Sequence, residues 1–263
     1  MTSEHTDLGI GMLGLGEAGA HLARDLVAAG VAVRGYDPLV EPPEGVVACR
    51  SDAEAATGVD LVLSANSAHD AEEALVAGLP GLGPHAVWAD LNTASPAVKR
   101  RLGRICDEAG RAFADVAVMA PVPPRGLRTP MVVSGAAAGM VVSLLTPLGA
   151  SVTALDGPPG LAATRKLLRS VFFKGLSAAV VEALAAARAA GAEDWLRANI
   201  SDELTAADAS TLARIENGTH RHARRRAEEM RAASELLDEL AVPALVSRAS
   251  QAWLEDLTGA TES

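Results

Sequence analysis

The chain has 263 residues, a formal charge of −10, 49% hydrophobic residues and only 3% aromatic ones. That length suits one α/β domain of roughly 150 residues with about a hundred left for a second module. The aliphatic content and the two cysteines exclude a disordered chain and a disulfide-stapled miniature, while net acidity and few aromatic platforms argue against nucleic acid or an anionic membrane as partner.

The first apolar run, residues 8–13, ends in Gly14-Leu15-Gly16-Glu17-Ala18-Gly19 and leads into a helical pattern closed by Gly30. This order predicts strand, glycine turn, helix and C-cap. A second strand over 31–36 closes on Asp37-Pro38, and a short third one falls at 46–49. Further strands are expected at 60–64, 86–90, 112–119, 131–134 and 151–155, with helices near 68–78, 96–109 and 137–146. The alternation predicts a Rossmann-type, mostly parallel sheet covered on both faces.

The breaker Asp156-Gly157-Pro158-Pro159-Gly160 ends the strand pattern. Beyond it the periodicity predicts only helices, at 161–190, 203–214, 216–240 and 243–257, with a fraying tail over 258–263. The expected division is therefore a dinucleotide-binding domain over 1–156 and an all-helical substrate and dimerisation domain over 157–263. The polar residues 1–5 and the interruption of apolar runs by charge, Gly and Pro point to a cytoplasmic protein with no membrane-spanning segment.

A glycine pattern of this spacing is weak alone and strong where a first strand meets a helix and an acidic residue closes the second strand, here 23 positions after Gly14. Gly14 permits the turn, Gly16 lets backbone approach a pyrophosphate at the helix N-terminus, and Gly19 lets that helix lie against the sheet. With Leu15, Glu17 and Ala18 between them, these residues form the expected cofactor turn. Asp37 as the cofactor residue would accept from the ribose hydroxyls of NAD and repel a 2′-phosphate, so NAD is favoured; the alternative is an ordinary turn cap. NADP stays possible because Arg34 and Arg50 are near enough in sequence to meet that phosphate. Ser64-Ala65-Asn66 and Asn92-Thr93 follow the fourth and fifth strands, the edge where ligands bind in such sheets. Each of their side chains can equally be a helix cap.

Hydride transfer to or from an alcohol carbon needs a group that takes or gives the hydroxyl proton. A lysine whose pKa falls on burial can serve. Lys166 and Lys174 both lie on the helix after the breaker, eight residues and about 12 Å apart along its axis, too far to serve the same atom. Lys166, nearer the breaker, is the favoured acid/base, with Lys174 second. Ser170, one turn from each, can orient substrate. Arg169, Arg125 and Arg128 are candidates for an anionic substrate, or simply solvated. The basic run at 220–226 reads as a solvated helix face, with a substrate-anion or subunit contact as the alternative, and Trp195 and Trp253 read as packing residues within the second domain or across a dimer interface. No metal-ligand spacing occurs, and hydride chemistry requires no metal.

The runs Ile10–Gly19 and Asp90-Leu91-Asn92-Thr93-Ala94-Ser95-Pro96, followed by Gly160, Lys166 and Glu182, resemble the β-hydroxyacid dehydrogenase superfamily, which includes 3-hydroxyisobutyrate dehydrogenase and 6-phosphogluconate dehydrogenase. The resemblance covers nearly the whole chain and implies that Lys166 is catalytic. Two departures stand out. The family's substrate-contacting Asp-Ala-Pro-Val-Ser-Gly-Gly is replaced here by Asp115-Val116-Ala117-Val118-Met119-Ala120-Pro121, which makes Met119 a candidate substrate contact. Its asparagine three or four positions after the lysine is replaced by Arg169 and Ser170. The chain is thus similar to a divergent branch with a short helical C-terminal domain.

The expected function is an NAD(P)-dependent oxidoreductase acting on a small hydroxy acid or its carbonyl counterpart in an interdomain cleft, assembled as a homodimer. Imine reduction within the same superfamily, or a dinucleotide-binding sensor without chemistry, are the alternatives.

Overall fold

The computed structural model describes residues 8–259. The expectations for residues 1–5, and for the tail beyond Gly259, lie outside the described residues. Thr258 and Gly259 themselves close the last helix rather than fray.

The chain separates into two compact units, 1–169 and 170–263. The first contains β1 (Gly9–Leu13), α1 (Glu17–Ala28), β2 (Ala32–Tyr36), β3 (Val47–Ala48), α2 (Asp52–Ala56), β4 (Leu61–Ser64), α3 (Ala71–Gly78) and β5 (Val87–Asp90). It continues with α4 (Pro96–Glu108), β6 (Ala112–Val118), β7 (Met131–Ser134), α5 (Ala138–Leu145), β8 (Val152–Ala154) and the start of α6 (Leu161–Ala189). The eight strands form one sheet in the order β3-β2-β1-β4-β5-β6-β7-β8. Only the β6–β7 pair is antiparallel, so the sheet is the mostly parallel Rossmann type that the alternation predicts.

Its central strands are buried on both faces, because helices cover both. Ile10, Met12, Leu63, Val87 and Val116 join Leu22, Leu26 and Val141 in one core layer. Leu13, Val62, Trp88 and Phe113 join Leu75, Leu102 and Cys106 in the other. Helix starts follow local chemistry: Pro96 opens α4 with the Ser95 hydroxyl accepting from Val98 N. Helix α2 escaped the periodicity reading because it is a five-residue turn. Its signal was Ser51, whose side chain accepts from Glu54 N three residues on.

The second unit holds the rest of α6 with α7 (Glu193–Ala206), α8 (Ala209–Arg221), α9 (Ala223–Glu239) and α10 (Leu245–Gly259). The expected helix at 203–214 spans a real break. Asp208 and Thr211 form a capping box that starts α8 and ends α7. The expected helix at 216–240 is likewise two helices, separated at His222, whose backbone leaves the helical region.

Trp195 and Trp253 are 68% and 67% exposed, so neither packs inside the helical unit, and of the two packing roles expected for them the one across a dimer interface is left open. One other expectation is corrected. Helix α6 is long and apolar enough, by length and composition, to cross a membrane, with mean hydropathy 1.5 over its best window. The charges seen in sequence crowd into its first half and its end, leaving Gly175–Ala187 with Glu182 alone. That glutamate is used within the helical unit: its carboxylate accepts from Val246 N and Ser247 N at the start of α10.

Candidate functional site

The carboxyl edge of the parallel strands is built from the glycine turn outward. Gly14 takes φ +82°, and a Cβ there would meet Ala65 O and Asn66 Oδ1 at 2.6 Å. A Cβ on Gly19 would collide with Gly14 O, whereas one on Gly16 would meet nothing within 4 Å. Gly16 caps α1 without any side-chain hydrogen bond, and Gly16, Glu17 and Ala18 are exposed. The first amides of α1 are thus open to an anion, the condition for a pyrophosphate at a helix N-terminus.

Asp37 caps its own turn, the alternative its sequence position offered, and also reaches the glycine turn. Its Oδ2 accepts from Leu15 N at 2.7 Å, and its Oδ1 accepts from Leu39 N and Val40 N at 2.8 and 3.0 Å. The carboxylate therefore ties the glycine turn to the end of β2. With about four lone-pair sites on a carboxylate, room for a ribose hydroxyl remains. A cavity of about 610 Å³ lies here, lined by Gly14, Gly16, Asp37, Asp52, Asn66, Asp70 and Glu73 among others. Among the described residues its lining contains four carboxylates and no cationic side chain. Of the two arginines expected near a 2′-phosphate, Arg34 is held by backbone and Arg50 stays exposed on the surface. Arg34 donates twice to Glu54 O, at 3.1 and 2.9 Å, and Arg50 pairs with the Glu54 carboxylate at 3.3 Å.

At the ends of β4 and β5 the polar residues are linked. Asn92 Nδ2 donates to Asp90 Oδ2 at 2.8 Å and to Ser64 Oγ at 3.2 Å, and Asn66 Nδ2 donates to the same hydroxyl. Asn92 is buried, yet its Oδ1 has no hydrogen-bond partner among the described residues. Beneath them lies a charge cluster that sequence reasoning missed. Lys99 Nζ donates to Asp90 Oδ1 at 2.5 Å and to Asp90 O at 2.7 Å, and contacts Asp115 Oδ1 at 3.1 Å. All three side chains are at most 1% exposed. Asp90 and Asp115 are register partners on neighbouring strands, so like charges would face each other without a cation between them. Burial pushes the Asp90 carboxyl up, against the pull of Lys99. The available sequence signal was the α4 stripe Lys99, Leu102, Gly103, Cys106, which places a lysine on a buried helix face.

Lys166 comes to this edge from α6. Its Nζ donates to Thr93 Oγ1 at 2.8 Å. Burial pushes its pKa below the ordinary lysine value, the Lys99 cation pushes the same way, and Asp115 opposes. The structure thus gathers Lys166, Thr93, Asn92, Ser64 and Asn66 along the strand ends that also carry the glycine turn.

Over residues 9–146 the sequence matches the family described as the NAD binding domain of 6-phosphogluconate dehydrogenase. That is more than half of the chain. The chain belongs to this family.

Residues 187–257, inside the helical unit, match a domain of unknown function, DUF1932. No curated protein matches the chain. Among solved structures, a conserved hypothetical protein from Sinorhizobium meliloti is 27% identical with TM-score 0.61, covering 95% of this chain and 88% of that one. The conserved protein MTH1747, described as structurally similar to 3-hydroxyacid dehydrogenases, is 26% identical with TM-score 0.61 over 95% and 98% of the two chains. An imine reductase from Myxococcus stipitatus in complex with NADP+ is 16% identical with TM-score 0.80 over 96% and 94%. The chain is thus an NAD(P)-binding Rossmann-type domain followed by a helical part, an oxidoreductase fold shared with several families.

Seen in this family's frame, the remaining candidates separate. Met119 packs with Ala117, Leu155 and Ala162 beside the start of α6. Arg125 and Arg128 are exposed, and their loop is tied to α1 through Leu127 N, which donates to Asp25 Oδ2 at 2.8 Å. Arg169 ends the first unit, while Ser170 and the exposed Lys174 belong to the second. Glu182, which the family resemblance couples to the lysine, serves the start of α10.

Proposed function

We propose that this protein is an NAD-dependent reductase of small C=N compounds, with Lys166 as the proton donor and Thr93 as its hydrogen-bond partner. The observation that carries the reading is the Lys166–Thr93 contact on the strand edge of the dinucleotide turn. The fold likeness to imine reductases supports the choice of bond.

The residues present fit a dinucleotide. The open amides of α1 would hold its pyrophosphate, Asp37 would accept from the adenosine ribose, and Ser64, Ala65 and Asn66 would line its path along the strand ends. When bound, the nicotinamide supplies or accepts the hydride. The orphaned Asn92 Oδ1 provides a buried acceptor for an amide or ammonium hydrogen, a demand that a buried polar atom makes of any ligand there. Lys166, as ammonium, gives its proton to the substrate nitrogen and is left as a neutral amine on Thr93. A pKa below the ordinary lysine value makes it a stronger acid for this step. Four carboxylates and no cation around the adenosine side favour NADH over NADPH.

A second reading, oxidation of a hydroxy acid with neutral Lys166 as base, is favoured by the family membership and the Asn92-Thr93 segment. Purified protein supplied with NADH and either a five-membered cyclic imine or a 2-keto acid separates the two by loss of NADH absorbance. Turnover of keto acids alone would overturn the imine reading. NADH binding without turnover of either class would favour a sensor.

We further propose a homodimer through the helical unit. Its buried core is small, centred on Ala186, Leu237 and Ala244, while Val171, Phe172, Val181, Leu212 and Ile215 stay exposed. A second copy would bury these stripes.

A further inference from the structure

We propose that Lys99 is a positioning residue for Lys166: a single buried cation that tethers both the strand end bearing Thr93 and the first turn of α6, and sets the charge that the Lys166 amine meets. The proposal rests on the reading of Lys166 as the acid–base group.

The geometry has two arms. On one, Lys99 Nζ holds the end of β5 through Asp90 O and Oδ1 at 2.7 and 2.5 Å. Asp90 Oδ2 in turn holds Asn92 at 2.8 Å, one residue before Thr93. On the other arm, Lys99 faces Asp115 Oδ1 at 3.1 Å. The opposite oxygen, Oδ2, accepts from Gly160 N at 2.9 Å and Ala163 N at 3.0 Å, the start of α6, and from Ser134 Oγ at 3.3 Å. Ser134 Oγ accepts from Ala162 N at 3.0 Å. Lys166 is the next turn of that helix. Both members of the Lys166–Thr93 pair are therefore anchored to one ammonium group.

A surface contact would not need such burial. Desolvating three charges is costly and is retained where it specifies a geometry or a local field. The charged groups around Lys166 are Lys99 from α4, Asp115 from β6, Arg169 on its own helix, and, one step further, Asp90 from β5 and Arg100 beside Gly160. Lys99 and Asp115 act on Lys166 in opposite directions. Asp90 lies beyond Lys99, so removing Lys99 takes away more repulsion than proton uptake by Asp90 takes away attraction.

The chain contains three lysines, Lys99, Lys166 and Lys174, so full-length protein labelled with 13C at lysine Cε gives three resonances. Lys166→Arg and Lys174→Arg assign them. In the unmodified protein the Lys166 midpoint should fall below the ordinary lysine value, because burial and the Lys99 cation both disfavour its ammonium. Lys99→Met should move it up by roughly half a pH unit or more, Asp115→Asn should move it down by a similar amount, and Lys99→Arg should restore it. Should Lys99→Met fail to fold, the double variant Asp90→Asn/Lys99→Met, which neutralises both partners, reads the same upward shift. A Lys166 midpoint unmoved in the folded variants would overturn the proposal. The titration is independent of turnover: if Lys166→Arg kept full reductase activity, the acid–base reading would fail while the Lys99 coupling could still be measured.

Discussion

Lys166 Nζ and Thr93 Oγ1, 73 residues apart in sequence, meet at 2.8 Å on the edge of the sheet. In the reductive direction Lys166 must be protonated, so kcat should fall as pH rises through its pKa, which burial and Lys99 place below the ordinary 10.5. In the oxidative direction the same pKa should appear as a rise. Lys166→Met should lower kcat by at least about a hundredfold, with NADH affinity, read by fluorescence, little changed. A flat pH profile through this region would sink the assignment. The sign for stability follows: the folded state binds the Lys166 proton less tightly than the unfolded chain, so the associated penalty is present below the folded pKa and is relieved as pH rises toward 10.5.

Gly16 and Gly19 should respond differently to alanine. Gly19→Ala drives a Cβ into Gly14 O and should cost more than about 2 kcal/mol in denaturant unfolding, with NADH binding lost as well. Gly16 has open space and an ordinary φ of −60°. Gly16→Ala should cost less than about 1 kcal/mol, yet weaken NADH by about tenfold or more, or 1.4 kcal/mol, because under the proposed function the methyl would stand where backbone meets the pyrophosphate. Equal NADH affinity in Gly16→Ala and the parent would contradict the cradle.

Under the proposed function, Asp37 links cofactor choice to turn geometry. NADH should bind at least about tenfold more tightly than NADPH, a difference of about 1.4 kcal/mol, measured by nicotinamide fluorescence at fixed ionic strength. Asp37→Ala removes three backbone hydrogen bonds and should weaken both cofactors while lowering Tm. Retained Tm with inverted preference would show that its role is electrostatic alone.

Glu182 ties α6 to the start of α10. Burial raises its carboxyl, but the Ser247 hydroxyl and the amides of Val246 and Ser247 outweigh that and hold it below the ordinary 4.5. This contribution is present above pH 4.5 and is lost as pH falls through the lower folded value. Glu182→Gln should cost about 1 kcal/mol at neutral pH, and the difference between parent and variant should shrink in acid. Denaturant midpoints measured across that range check it.

The exposed stripe in the helical unit makes the oligomer testable. Val171 is 75% exposed and Leu212 70%. Each would contribute roughly 1.5–3 kcal/mol if covered by a second copy. Sedimentation of the parent as a dimer and of Val171→Asp/Leu212→Asp as a monomer is the expected pair of results. A monomeric parent would refute the assembly.

Much of the fold was legible because its signals are local. Eight strands follow from apolar runs bounded by Gly, Pro and Asp, and the glycine turn follows from three residues at fixed spacing. Helix breaks were harder. Asp208 and Thr211 form a short polar pair inside an otherwise helical composition, and the interruption at His222 carries no Gly or Pro. The apolar stretch of α6 is by contrast present in the sequence itself, where Gly175–Ala187 carries Glu182 as its one charge.

The sequence by itself determined the parallel sheet, the dinucleotide turn and the presence of a lysine after the breaker, since periodicity and turn chemistry act over a few residues. Only the tertiary structure decided that Asp37 binds the glycine turn's backbone through Leu15 N, that Arg34 is held by Glu54 O, and that Lys99 sits between Asp90 and Asp115. Those relations join residues far apart in the chain, and burial sets their energies. Burial is a property of the packed sheet edge rather than of any stretch of sequence.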